Sequence, residues 1–168
     1  MIKKAFIPII FLLFSQFVFS QQMKLEIDGN ITFDNSMYYI TEAGNDFPSS
    51  IETETSIYIS VSYDNFWDKK FNPNQKWRLY INKTDVNWNP DLILEVIRTG
   101  DGNHPGNRGK TNIHDGTNYH NISNNPAYFF RGKDEISDIP ISFRIIGLSI
   151  TMGAQEYETN IVMTIYDD

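Results

Sequence analysis

The chain has 168 residues, no cysteine and a formal net charge of −7 at pH 7. The lack of cysteine excludes disulfides, thiolate metal sites, a thiol nucleophile and a lipid anchor on cysteine. The negative charge disfavours binding to nucleic acid or to anionic membrane surfaces, because their phosphate groups repel it.

Residues 1–20 have the pattern of a secretory signal peptide. Lys3 and Lys4 precede a short apolar run, and the small residue Ser20 stands where signal peptidase would cut. The run is too short for a stable membrane span. We therefore predict an exported protein, periplasmic or extracellular, whose residues 21–168 form one domain without a transmembrane segment. Without the two leader lysines, that domain is more acidic still.

Beyond the leader, apolar and polar residues alternate with period two, which is typical of strands that bury one face. The alternating segments are residues 23–27, 57–63, 77–81 and 157–165. Strands with both faces at least partly covered are predicted at residues 37–41, 92–98, 127–131 and 141–148. A short helical turn is predicted at 66–70, and segment 23–27 is interpreted as an ordinary edge strand. About seven to nine short antiparallel strands predict an all-β fold, either a two-sheet sandwich or a small barrel.

The longest connection covers residues 99–126 and is rich in Gly, Asn and Asp. Loops longer than about 12–15 residues are uncommon and tend to be functional or mobile. All three histidines of the chain, His104, His114 and His120, lie in this segment. Any chemically active site is therefore expected here.

This loop also supplies nitrogen and oxygen ligands for zinc or a similar ion. The candidate metal ligands are Asp101, His104, His114, Asp115 and His120. Their spacing matches no short metal motif, so exposed histidines without a metal are the favoured interpretation. No cofactor is predicted, and structural calcium in an irregular loop is left open.

Catalytic patterns are missing from the sequence. No two acids are placed together for glycoside hydrolysis, no G-x-S-x-G elbow is present, and the glycines precede no helical pattern. We predict that the chain is not an enzyme.

Aromatic residues near turns are the most promising surface feature. Such rings stack on sugars or anchor protein interfaces, and neighbouring amides can bond sugar hydroxyls. Trp77 is expected in the core from its strand phase, whereas the surroundings of Trp67 and Trp88 leave burial and exposure equally open. The candidate partner- or glycan-binding residues are Phe66, Trp67, Phe71, Trp88, Asn103, Asn107 and Tyr119.

The C-terminal third and one earlier strand carry a family resemblance. Residues 139–148 read IPISFRIIGL, residues 153–166 read GAQEYETNIVMTIY with a near-terminal Tyr166, and residues 76–81 read KWRLYI. Together these segments resemble strands of pilin-like and spore-coat-U-like secreted bacterial domains. The resemblance implies an immunoglobulin-like sandwich with a role in surface fibres or envelope assemblies. The paired cysteines of many such pilins are absent, and no functional residue transfers.

These observations predict a non-catalytic structural or accessory subunit of a bacterial cell-envelope or surface assembly, pilus-like, adhesive or secretion-associated. It would dock to other envelope or surface proteins through an exposed strand edge or an aromatic loop. The alternative is a secreted carbohydrate-binding module that uses Trp67 and Trp88, with or without calcium. A metal-dependent hydrolase centred on the three histidines is the third hypothesis.

Overall fold

The structure is a computed structural model, and part of the chain is described in it. The described residues are 22–31, 33, 47–48, 50–53, 56–71, 73–105, 112–152 and 156–168. The predicted leader at 1–20, the predicted strand at 37–41 and the candidate residue Asn107 lie outside them.

Strands dominate the described residues. In chain order the elements are β1 (Met23–Asp28), β2 (Ser50–Glu52), β3 (Ile57–Tyr63), α1 (Phe66–Phe71), β4 (Lys76–Asn87), β5 (Ile93–Arg98), β6 (Ile113–His114), β7 (His120–Asn121), β8 (Ala127–Lys133), β9 (Ile136–Ile146), a 3-10 helix (Ile150–Met152) and β10 (Glu158–Asp167). The predicted helical turn at 66–70 is confirmed as α1. Neither of these two helices has the length and apolar character needed to cross a membrane.

The strands form two antiparallel sheets, which confirms the predicted two-sheet sandwich. Sheet A has the order β1-β3-β9-β5-β7, with β2 also paired to β9, and sheet B has the order β10-β4-β8-β6. The described residues contain ten strands rather than seven to nine. The extra strands β2, β6 and β7 have only two or three residues, too few to show an alternating pattern.

Among the described residues, the strand order of each sheet ends in one long strand and one two-residue strand, and β2 is a further short edge strand of sheet A. Strands β1 and β10 contact each other, so the two long edges lie on the same side of the sandwich. We call this side, formed by residues 23–28 and 158–167, the open edge. The opposite side is formed by the two-residue strands β6 and β7, and we call it the closed edge.

The core lies between the sheets and is filled by the inward residues of each strand. Trp77, Phe130 and Phe143 are completely buried there. The indole N–H of Trp77 donates to the backbone oxygen of Asp134 at 2.9 Å, so its polar atom is satisfied. Gly132 gives the indole its space, because a Cβ at that position would lie 2.2 Å from the ring.

The described parts of the connection 99–126 belong to the sandwich, which corrects the expectation of a loop without structure of its own. Strand β6 pairs with β8 and β7 pairs with β5, while Asn103 forms a bridge with Ser137. Ile113 and Ile122 are buried in the core. Two-residue strands leave no periodic signal, so the sequence pattern could not reveal them.

Candidate docking surface

Among the described residues, strand β1 pairs with β3 along one side and with no strand along the other. Asp64 donates its N–H to the backbone oxygen of Gln22 at 2.9 Å, which makes these two residues a bonded pair. Bonded and non-bonded pairs alternate along an antiparallel ladder, so the even-numbered residues of β1 bond to β3. The N–H and C=O groups of Leu25 and Ile27 therefore point away from β3, toward the open edge.

The same alternation holds for β10 at the edge of sheet B. Asp168 donates its N–H to the backbone oxygen of Lys76 at 2.9 Å. With the register of β10 on β4, the even-numbered residues of β10 are the bonded ones between Asn160 and Tyr166. The backbone groups of Ile161 and Met163 consequently point toward the open edge as well.

A groove of about 630 Å³ lies between these two strands. Its lining residues are Met23, Lys24, Leu25, Ile27, Asp64, Met163, Thr164 and Ile165. Leu25 and Met163 pack their side chains partly against the core, whereas Ile27 is 51% exposed. Leu25, Ile27 and Met163 thus contribute apolar side chains to the groove and direct their backbone N–H and C=O groups outward. An added strand uses both features, the backbone groups for hydrogen bonds and the apolar groove for its alternate side chains.

At one end of the groove, a hydrogen bond joins the two strands. The backbone N–H of Gln22 donates to a carboxylate oxygen of Asp167 at 2.6 Å, and this bond joins the start of β1 to the end of β10. Nearby, the Lys24 ammonium bonds Glu26 at 2.6 Å, and this hydrogen bond raises the pKa of Lys24 above its ordinary value.

The closed edge is organised by a buried cation. Arg98, only 4% exposed, donates to the backbone oxygens of Asp115 at 2.9 Å and Gly100 at 2.7 Å, and it forms an ion pair with Asp101. The hydroxyl of Tyr128 donates to the Asp115 carboxylate. Burial, together with this bond, raises the pKa of Tyr128 to about 12. These contacts hold Gly100, Asp101 and Asp115 of the connection against β5 and β8.

The five candidate metal ligands are spread over different places. Asp101 pairs with Arg98, and Asp115 accepts from Tyr128. His114 lies exposed in β6 of sheet B, whereas His120 lies in β7 of sheet A. In the described part of the chain, no three His, Cys, Asp or Glu side chains come close enough to hold a metal ion. The reason is topological, because the two short strands attach the connection to different sheets.

His104 and His120 have separate environments. His104 lines a cavity of about 290 Å³ together with Tyr63, Asp134 and Glu135. Its Nε2 atom is buried and has no hydrogen-bond partner among the described residues. The ring of His120 instead packs beside Phe129, with 6.2 Å between the ring centres.

Three of the candidate aromatic residues project from helix α1. Phe66, Trp67 and Phe71 are 71%, 58% and 69% exposed. Asn65 caps the helix, since its side-chain oxygen accepts the N–H of Trp67 at 3.0 Å. Trp67 and Phe71 stack with 5.8 Å between ring centres, and the Lys70 ammonium lies 5.1 Å from the Trp67 ring. The helix thus presents a small aromatic patch beside the groove residue Asp64.

Trp88 is half-buried instead of projecting like Trp67. Its indole N–H donates to the backbone oxygen of Leu92 at 2.9 Å, and the Lys83 ammonium lies 5.2 Å from the ring centre. One ring face and the polar atom are therefore already engaged. The role of Trp88 in ligand binding stays a prediction.

The two described polar candidates of the connection 99–126 make intramolecular contacts. The side-chain amide of Asn103 donates to Asp138 at 3.0 Å. Tyr119 donates its hydroxyl to Glu52 at 2.8 Å, and the guanidinium of Arg144 lies 3.4 Å from its ring centre. Both side chains fasten the connection to sheet A, so their present contacts are structural.

The residues of the open-edge groove were not among the candidates taken from the sequence. The alternation in 23–27 and 157–165 indicates both strands, and the interpretation of 23–27 as an edge strand is confirmed. That β10 is also an edge strand, on the same side as β1, depends on strand order. No periodic pattern encodes that order.

Comparisons with protein-family models, with curated proteins and with solved structures find no match for this chain. The resemblance to pilin-like and spore-coat-U-like domains therefore stays a prediction.

Proposed function

We propose that the chain is an exported, non-catalytic subunit of a bacterial envelope or surface assembly, and that its open edge receives an extended segment of a partner protein. The observation that carries the proposal is the groove between β1 and β10. Main-chain hydrogen bonds to the outward-directed groups would supply affinity, and alternate side chains seated between Leu25 and Met163 would supply specificity.

The length of the two edge strands supports this role. Strand β1 has six residues and β10 has ten, whereas the edge strands on the other side have two. Proteins usually blunt their sheet edges, because long edges with outward-directed N–H and C=O groups pair with other chains. The long strands β1 and β10 at the open edge therefore form a surface suited to strand addition.

The expected affinity is moderate. An added strand along β1 would cover six residues, or roughly 20 Å at about 3.3 Å per residue. Such an interface lies at the small end of specific protein contacts, so we expect dissociation constants of about 1–100 μM for an isolated peptide. Assembly in the envelope would add avidity from further contacts.

Peptide binding tests the proposal. Fluorescent peptides of about ten residues with alternating valine and threonine would be titrated into the purified protein. Leu25→Lys and Met163→Lys place an ammonium in the groove, and we expect each to weaken binding by about tenfold or more. Val162→Lys is the matched control, since its side chain lies exposed on the outer face of the same strand. Equal binding by all three variants and the unsubstituted protein would contradict the proposal.

Glycan binding is a second candidate function, favoured by the exposure of Trp67 beside Phe71 on α1. It predicts that Trp67→Ala abolishes the signal on a glycan array, whereas Trp88→Ala affects stability more than binding. An array without signal at high protein concentration would contradict this candidate.

A further inference from the structure

We infer that the partner segment entering the open edge is basic, with lysine or arginine at the alternate positions that face solvent. The inference rests on the proposed strand docking and adds the chemistry of the partner. It derives from the charges that border the groove, and it concerns a separate protein rather than a second copy of this chain.

The strands of the open edge are acidic. Together β1 and β10 carry one lysine and four acids, namely Lys24 against Glu26, Asp28, Glu158 and Asp167. A fifth acid, Asp64, lines the groove.

The single lysine pairs with Glu26 within β1, so these two charges offset each other and the acids that remain are Asp28, Glu158 and Asp167, with Asp64 in the groove. Its ammonium lies 2.6 Å from a carboxylate oxygen of Glu26, and both side chains are more than half exposed. In the described ranges, none of the ion pairs involves Asp28, Asp64 or Glu158. The field at the groove is therefore negative and open to an incoming cation.

The geometry of strand addition places the partner's outward side chains beside these acids. Side chains alternate between the two faces of a strand, so a segment with its apolar side chains in the groove directs the others to solvent. Those residues would lie next to Lys24, Glu26 and Asp28 on β1 if the segment pairs with that strand, a face with one lysine and two acids. Cross-strand pairs of opposite charge stabilise a sheet, and like charges directly opposite each other destabilise it.

A second copy of the chain is a poor occupant for the same reason. It would bring the same acidic strands, and each chain carries a net charge of −7 before the leader is removed. Repulsion between two such bodies lowers the rate of encounter, whereas a basic segment is attracted.

Three peptides with the same alternating valines test whether the groove prefers a basic segment. Each alternates valine with a variable residue, which is lysine in the first peptide, serine in the second and glutamate in the third. We expect the lysine peptide to bind about tenfold more tightly than the glutamate peptide at low salt, with serine between them. The difference should shrink severalfold at about 0.5 M salt, where charges are screened within a few ångströms.

Reversing one charge on β1 tests whether the preference for the lysine peptide arises at the open edge. Glu26→Lys should reduce the preference for lysine over glutamate to less than about threefold. Asp91→Lys changes the net charge by the same amount on the exposed turn before β5, and it should leave most of the preference intact.

The three outcomes distinguish a failure of the basic-partner inference from a failure of strand docking itself. Equal affinity for all three peptides would overturn the inference while leaving strand docking in place. Binding by none of them would overturn both. A dimer of the protein that protects the open edge without peptide, and that the lysine peptide does not dissociate, would assign the groove to a second copy and overturn the inference.

Discussion

At the closed edge, the sheets end in β6 and β7 with two residues each, and Arg98 fastens the chain that connects these strands. At the open edge, they end in β1 with six residues and β10 with ten, and a groove of about 630 Å³ is lined by residues of both strands. Both edges belong to the same sandwich and share its core. The difference shows that short strands and an anchored connection cover part of the sheet edges on one side, whereas the long strands β1 and β10 direct backbone groups outward on the other.

The largest expected effect comes from placing the same charge at both edges. Ile113→Lys puts an ammonium at a buried position of the closed edge, and we expect the free energy of unfolding to fall by about 3–5 kcal/mol. Leu25→Lys should cost less than about 1.5 kcal/mol, because the lysine stem can lie in the open groove with its charge in water. Urea denaturation measures both values, and equal losses would mean that the edges do not differ in packing.

A smaller loss is expected when the anchor of the closed edge is removed. Arg98→Met keeps an apolar stem but leaves the backbone oxygens of Gly100 and Asp115 without their donor, so stability should fall by about 2–3 kcal/mol. Amide exchange in β6 and β7 should accelerate more than exchange in β1. Arg98→Lys is the control, and it should restore only part of the stability because it lacks the guanidinium fork. Unchanged exchange in β6 and β7 would show that Arg98 does not hold this edge.

The smallest effect concerns one tyrosine near each edge. Burial raises the pKa of Tyr128 and of Tyr63 to about 12, and hydrogen bonds to Asp115 and Asp134 act in the same direction. The folded pKa of each lies above the unfolded value near 10, so its contribution is complete below pH ~10 and is lost as the pH rises through ~12. We expect these two of the nine tyrosines to ionise last in an alkaline absorbance titration.

Replacing each tyrosine by phenylalanine assigns the two ionisations at high pH to Tyr128 and Tyr63. Tyr128→Phe and Tyr63→Phe should each remove one of them, at a cost of about 1 kcal/mol, the typical net contribution of one hydrogen bond. A titration in which all tyrosines ionise together near pH 10 would contradict the two hydrogen bonds.

Most long strands were predictable from the sequence, since burial on one face leaves a period of two. Strand β3 has the predicted limits, with its odd-numbered residues buried. Strand β9 begins at Ile136, five residues before the predicted start at 141. Asp138, with a positive φ of 55°, and Pro140 obscured the alternation there.

The candidate surface was less predictable, because it depends on which strands become neighbours. The surroundings of Trp67 left its burial and exposure equally open, and the structure places Phe66, Trp67 and Phe71 outward. The groove requires β1 and β10 to be edges on one side, and that arrangement follows from long-range pairing. For Trp88, a neighbouring lysine and a backbone acceptor decided its orientation, and neither is visible in local sequence.

Amide hydrogen exchange by NMR, with and without the lysine peptide at saturation, tests the central claim most directly. The account predicts new protection at outward-directed amides of the open edge, at Leu25 and Ile27 or at Ile161 and Met163. The already bonded amides of Glu26 and Val162 should change little. Protection confined to α1 or to the closed edge, or no new protection at saturation, would contradict it.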